Sequence, residues 1–457
     1  MALPYGPAIH RGAVVQCGAM LSYYLRLSWV SVKRNPILTS LIIIAIAIGV
    51  SMTMTAFTIL YVMSSDPIPA KSRQLFAIQI DNGGPQSRQP GDTEPESQLT
   101  YRDAMALLSA KAAPRQVAMH QVSLMVSPPN DDLKPFVVAG RATSGDFFAM
   151  FDAPMLYGRG WTAASETERA PVVVISRRLN ERLFHGANSV GKSVRLNDDA
   201  YQIVGVMDEW DPRPRFYDVI GGQNFEEGEA AYLPLPLSID KQMSTSEYEF
   251  CNAGPRGQSF SDLLRSECVW LQFWAELPTP QDVEHYRAFL NNYSRDQRSA
   301  GRFSWEPNVR VRNVRDWLMA QRVVPNDAKL SALVAAGFFI VCLVTALGLM
   351  LAKAFARTSE FGVRRALGAS SRDLFQQALV ESGVIGILGG VIGLGMTLLS
   401  LWTVRSLFPA GLGRIAQIDA SLLIVTVALA IVATLIVGAY PAWLSTQAAP
   451  GLQLKEG

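Results

Sequence analysis

ILTSLIIIAIAIGVSMTMTAFTILYVM, Ile37 to Met63, contains no charged residue. As a helix it extends roughly 40 Å, enough to cross a hydrocarbon core of ~30 Å with some tilt. Three further stretches obey the same rule: Leu330 to Leu351, Ser382 to Val404 and Ser421 to Tyr440. The competing reading of the first stretch is a cleaved leader, whose apolar core is typically about 7–15 residues. Ile37–Met63 is longer than that, and an uncleaved span fits it better. The expected order is therefore a cytoplasmic N-terminal segment with an amphipathic helix (1–36), span 37–63, a large region 64–329, span 330–351, segment 352–381, span 382–404, a short loop 405–420, span 421–440 and a C-terminal segment 441–457.

Lysine and arginine near the spans set the orientation. Residues 1–36 hold Arg11, Arg26, Lys33 and Arg34 and no acid. Segment 352–381 holds Lys353, Arg357, Arg364, Arg365 and Arg372 against Glu360 and Asp373, with Glu381 at its end, whereas 405–420 offers Arg405 and Arg414 with Asp419. Both termini and 352–381 are expected in the cytoplasm, and 64–329 outside it. That external region has 34 acidic and 29 basic residues, and the whole chain carries +2. Neither value provides the basic footprint of a nucleic-acid binder; the lipid bilayer is the expected surroundings. No span has a charge near its centre. Glu381 sits close to the cytoplasmic end, within expected reach of water or Arg372. An ion-coupled transporter buries ionisable groups near mid-membrane, so that class is disfavoured.

The external region reads as α+β, two strand–helix–strand halves around a loop-rich insert at 211–268. Gln74–Asp81, Gln116–Val126 and Phe136–Gly140 read as strands, with a helix from Thr100 to Lys111 and a short one over Ser144–Phe151. Later, Val269–Trp274 reads as a strand, Thr279-Pro280 opens a helix to about Tyr293, and Phe303–Val311 closes as a strand. Separated parts of the chain can thus share one sheet. Within it, Gly186–Ser193 spells G-x-x-x-x-G-K-S, the string of a phosphate-binding loop. Such a loop needs a strand before it and a helix after it. Here a helical stretch capped by Ser176 precedes it and two alternating stretches, 193–196 and 201–206, follow, with Asn197-Asp198-Asp199 as a turn. The reading is a turn between a helix and a hairpin.

Cys17 belongs to the cytoplasmic segment and Cys342 to the second span, which leaves Cys251 and Cys268 outside, where a disulfide persists. They are the candidate pair, two separate buried thiols being the alternative. The four histidines are scattered, with no H-E-x-x-H or C-x-x-C, so no metal site is expected. No G-x-S-x-G or nucleophile–base arrangement stands out, and most external acids read as solvated surface.

Segment 356–374, ARTSEFGVRRALGASSRDL, joins two spans. Glu360 and Arg364 stand at i,i+4, a helix-supporting pair, and Gly368 makes a helix stop. A short charged helix held between spans is a handle for a cytoplasmic partner; a plain interfacial helix obeying the positive-inside rule is the alternative. The third span contains Gly386 with Gly390 and Gly389 with Gly393, small-xxx-small spacings that let membrane helices approach closely.

With these residues in hand the chain resembles the MacB/FtsX-like family of ABC transporter permeases. EFGVRRALGASSRDL (360–374) is similar to the family's cytoplasmic coupling segment, and GAYPAWLSTQAAP (438–450) to its closing motif. GRATSGDFF (140–148), LYGRGW (156–161), VVISRRLNERLF (173–184) and VGKSVRL with YQIVGV (190–206) follow the order of its periplasmic core domain. The resemblance implies four transmembrane helices with a periplasmic core domain between the first two, in the bacterial inner membrane. It also implies a dimer, with an identical or a paralogous permease. The coupling segment, through Glu360, Gly362, Arg364, Arg365 and Gly368, would dock on a cytoplasmic ABC ATPase that binds ATP and Mg, with no cofactor in this chain. With 36 residues before the first span, that ATPase is expected as a separate chain, and this one as a non-catalytic subunit. Efflux from the periplasm by mechanotransmission, with a periplasmic adaptor and an outer-membrane channel, is the implied role. An FtsX-like regulator of a cell-envelope hydrolase and a LolC/LolE-like lipoprotein-releasing permease are the alternatives.

Overall fold

The computed structural model describes residues 26–28, 30–82, 93–128, 134–221, 224–246, 248–251, 259–368, 370–407 and 420–447. The chain divides into two compact units, Met63–Val324 and the residues on either side of it in sequence, Met1–Val62 with Pro325–Gly457. In chain order the elements are α1 (Pro36–Ser64), β1 (Leu75–Gln79), β2 (Leu99–Thr100), α2 (Tyr101–Ala110), β3 (Arg115–Ser127), β4 (Phe136–Thr143), β5 (Met155–Gly158), β6 (Val172–Ser176), α3 (Arg177–Phe184), β7 (Ser193–Leu196), β8 (Asp199–Met207), β9 (Ala231–Pro234), β10 (Val269–Glu276), α4 (Pro280–Ser299), β11 (Arg310–Asn313), α5 (Asn326–Phe355), α6 (Thr358–Ala366), α7 (Ser371–Leu407) and α8 (Ala420–Gln447). Short helical segments such as Phe147–Met150 and Leu235–Asp240 punctuate the first unit.

Local chemistry starts and stops these elements. The Thr100 hydroxyl accepts from the Asp103 amide at the head of α2, and the Ser176 hydroxyl from the Leu179 amide at the head of α3. Thr279 and Asp282 form a reciprocal capping box with Pro280 in the first turn of α4. His185, at φ 54°, ends α3, and Asn197 and Asp198, at φ 49° and 69°, make the two-residue turn from β7 to β8. Gly186–Ser193 thus leads out of a helix into a hairpin, the reverse of a phosphate-binding loop.

All eleven strands join one sheet, in the order β11-β1-β10-β3-β4-β9-β6-β8-β5, with β2 on β10 and β7 bridging β3 and β8. Both faces are covered. Along β1 and β10 alternate side chains enter two cores, Phe76, Ile78 and Leu271 on one side, Leu75, Ala77 and Trp274 on the other. The second core is aromatic, with Phe151 and Phe216 edge-on to Trp274 at 6.0 and 5.4 Å.

The 211–268 segment departs from its expected loop-rich character. It supplies β9, which runs parallel to β4 and antiparallel to β6 inside the sheet. Four residues ending in proline are too short for a period-2 pattern to register. The last expected strand, Phe303–Val311, is shorter and later, at Arg310–Asn313. Cys251 and Cys268 are bonded, S–S 2.06 Å, tying the segment to the head of β10 beside the Phe250–Val269 bridge. The Glu249 carboxylate and both sulfurs lie within 4.8 Å of one another, but the disulfide leaves no thiolate to coordinate a metal.

The same segment carries a buried ion network. Arg141 of β4 donates through Nε to Glu229 at 2.7 Å and through Nη2 to Asp218 at 2.7 Å. Arg215 reaches Glu229 at 3.4 Å, the Tyr217 hydroxyl donates to it at 2.8 Å, and Gln272 of β10 donates to Asp218 at 2.8 Å. Burial alone would push the Glu229 carboxyl up; Arg141 and Arg215 overcome it and hold it down at about 2. Two arginines and two carboxylates balance, so the network joins β4, β10 and the 215–229 chain without net buried charge.

In the other unit α1, α5, α7 and α8 are each long and apolar enough to span a membrane. Their helices outrun the apolar stretches: α5 continues to Phe355 and α7 begins at Ser371. The glycines of α7 sort onto two faces. A methyl at Gly386 or Gly390 would meet Thr434 Oγ1 at 2.0 Å or Ala430 Cβ at 3.0 Å on α8. One at Gly389 or Gly393 would meet Ile46 Cγ2 or the Ala47 carbonyl at 3.0 Å on α1. Their spacing brings three helices together at backbone distance.

Candidate functional site

The four long helices leave a charged end on the side where α5 stops and α7 starts. After Phe355 the chain turns at Arg357 (φ −113°, ψ 5°) into α6, and Gly368, at φ +100°, reverses it toward α7. Ser370 then heads α7: its hydroxyl accepts from the Asp373 amide at 3.2 Å, and Asp373 accepts from the Ser370 amide at 3.2 Å.

Within this turn, Glu360 accepts from Arg364 at 2.9 Å, one helical turn away, and from Arg34 before α1 at 3.1 Å. Arg364 also donates to Gln377 of α7 at 2.9 Å, and Arg365 to the Ser371 hydroxyl at 3.3 Å. α6 is therefore pinned to the segment before α1 and to the head of α7. Val363 of α6 and Leu367, four residues on and just past its end, are 60% and 84% exposed, so an apolar edge faces outward. Gly362 lies within α6 and Gly368 at its exit.

Behind α6 lies a second cluster that spacing did not indicate. Glu381 of α7 pairs with Lys353 of α5 at 2.7 Å and with Arg357 at 3.1 Å, and Ser31 donates to it. Lys353 also donates to the Thr39 hydroxyl of α1 at 3.0 Å. These bonds take the place of water or Arg372, the partners expected for Glu381. Once α7 is helical from Ser371, Arg372 sits two and a half turns back, an axial separation of about 13 Å. One carboxylate on α7 thus gathers side chains from α5, the turn after it and the chain before α1, and the sequence signal available is only a lone Glu near a span end. Of the expected site residues, Glu360, Arg364 and Arg365 come together here; Gly386, Gly389, Gly390 and Gly393 lie farther along α7 in the packing described above.

Four helices long and apolar enough to cross a membrane, with a large α/β domain between the first two in sequence and a pinned charged helix between the second and third, define a multi-pass membrane protein. The MacB-like periplasmic core domain family matches residues 39–291, and the FtsX-like permease C-terminal family matches residues 332–450. The chain belongs to the MacB/FtsX-like family of ABC transporter permeases, and its α/β unit is the periplasmic domain. The macrolide export ATP-binding/permease protein MacB of Salmonella paratyphi A is 22% identical over 388 residues, 84% of this chain and 53% of that one. The pyoverdine export ATP-binding/permease protein PvdT of Pseudomonas fluorescens is 24% identical over 314 residues, 68% of this chain and 42% of that one. The chain spans about half the length of the curated relatives it matches. Among solved structures, the periplasmic region of MacB from Actinobacillus actinomycetemcomitans is similar at 14% identity and TM-score 0.34, covering 54% of this chain and 94% of that one.

Proposed function

We propose that this chain is the membrane-spanning, non-catalytic part of an ABC exporter in the bacterial inner membrane. ATP binding and hydrolysis in a cytoplasmic ABC ATPase, with its Mg, would move α6; α6 would move the helices, and the helices the periplasmic domain. Working as a dimer with a second permease, it would drive cargo from the periplasm through an adaptor and an outer-membrane channel. One observation carries this reading: α6 is bonded to Arg34 and Gln377 while Val363 and Leu367 stay exposed. A push on that outward edge is delivered to two neighbouring elements at once, through charge-assisted hydrogen bonds that resist shear. The names of the relatives, which join ATP binding, permease and export, support the same reading.

The test is ATP hydrolysis. The purified chain alone is expected to show none, and its complex with the ATP-binding partner to hydrolyse ATP. Arg364→Glu/Arg365→Glu should lower the activity of the complex by about tenfold or more, the loss expected from removing ~1.4 kcal/mol of coupling. Hydrolysis by the chain alone, abolished by Lys192→Ala, would sink the proposal.

A further inference from the structure

Lys353, Arg357 and Glu381 line one side of a half-open cleft completed by Met350, Ala378 and Pro441. All three charged side chains are largely buried, at 6%, 12% and 13% exposure. Two cations share one carboxylate, so the cleft holds a net positive charge. Its donors are not all satisfied either. Among the described residues Arg357 Nε is buried with no acceptor, and Lys353 uses two of its three N–H bonds, on Glu381 and Thr39. A buried excess cation with idle donors is costly unless an anion completes it.

The depth of the cleft indicates which anion. Tyr440 and Trp443 flank Pro441 on α8, are 52% and 50% exposed, and pack with ring centres 6.3 Å apart. Exposed tyrosine and tryptophan on a membrane helix mark the headgroup level. Because α5 leaves the periplasmic domain at its N-terminal end, Lys353 and Arg357 at its other end belong to the cytoplasmic leaflet. Basic pockets between membrane helices on that side collect anionic headgroups. We propose that this cleft binds the phosphate of an anionic membrane phospholipid, with Arg357 Nε and Lys353 Nζ as donors and Met350 as an apolar wall for the adjoining chain. The site needs no ATPase on α6 and stands apart from the transport reading.

The experiment is native mass spectrometry of the full chain in detergent, offered phosphatidylglycerol and phosphatidylcholine of matched acyl chains. Wild type should retain phosphatidylglycerol roughly fivefold over phosphatidylcholine, the bias of one net interfacial cation. Arg357→Gln removes that charge and should bring the two lipids to parity. Ala378→Leu fills the cleft while leaving every charge in place, and should abolish the preference even if Arg357→Gln proves poorly folded. An absent preference in wild type, or one that survives Ala378→Leu, would overturn the proposal. Inorganic phosphate in excess should leave the lipid adducts unchanged; displacement by it would show a soluble phosphate to be the occupant and overturn the lipid assignment.

Discussion

Arg141 and Glu381 each stand at the centre of a buried ion cluster, yet the two clusters are built on opposite terms. In the periplasmic domain Arg141 and Arg215 face Asp218 and Glu229, with side chains no more than 4% exposed and with Tyr217 and Gln272 each adding a hydrogen bond. Among the membrane helices one carboxylate serves two cations beside an open cleft. Balance and enclosure make the first a fixed joint: no member can leave without stranding another in a dry interior. Surplus charge and an opening give the second somewhere to go, because a released side chain can turn toward water or headgroups.

The largest expected effect breaks the fixed joint. Arg141→Met leaves Asp218 and part of Glu229 uncompensated and should cost about 3–5 kcal/mol in denaturation of the full chain, followed by tryptophan fluorescence. Glu381→Gln, followed by far-ultraviolet circular dichroism, should cost only about 1–2 kcal/mol. Equal losses would erase the distinction between the clusters.

Acid sharpens it next. Burial, reinforced by Arg141, holds the His120 imidazole down at about 3 from its usual 6.5, and Glu229 is held at about 2 from 4.5. In both cases the unfolded chain takes up its proton first, so domain stability falls as pH falls. The His120 part acts between 6.5 and 3, the Glu229 part between 4.5 and 2. His120→Leu should therefore remove a loss of about 2–3 kcal/mol otherwise seen between pH 6.5 and 4.5, while Glu229→Gln flattens only the more acid limb. A profile unchanged by His120→Leu would mean that this imidazole titrates normally.

The smallest effect asks what holds the membrane helices if their charges do not. Gly386→Ala forces a methyl to within 2.0 Å of Thr434 Oγ1, with the Ile431 backbone close behind at 3.1 Å, whereas a methyl at Gly395 meets nothing within 4 Å. Gly386→Ala should cost about 1–3 kcal/mol by overpacking. Gly395→Ala should be neutral or gain up to about 1 kcal/mol of helix propensity. Similar melting temperatures for the two would shift the weight back to the ion cluster.

What was legible in the sequence follows the same divide between near and far. The spans, the cap at Thr100, the helix after Thr279-Pro280 and the Glu360–Arg364 pair are set within a few residues, and spacing reveals them. Arg141 meets Asp218 and Glu229 across 77 and 88 residues, and nothing local marks any of the three. The partners of Glu381 are hidden for a related reason. As a connecting segment 372–381 would let Arg372 come near; as part of one helix it holds Arg372 out of reach. β9 is hidden because four residues, the last of them a proline, carry too little pattern.

The position of β1 bears on how this domain is made. β1 lies between β10 and β11, so it pairs with the last two strands to be synthesised. As the chain threads through the membrane, LFAIQ emerges first and waits with both edges bare until Val269–Glu276 and Arg310–Asn313 have followed. Pairing at such sequence distance is slow to form, and bare strand edges invite wrong partners. A chain that stops before Val269 leaves β1 with neither of its neighbours in the sheet.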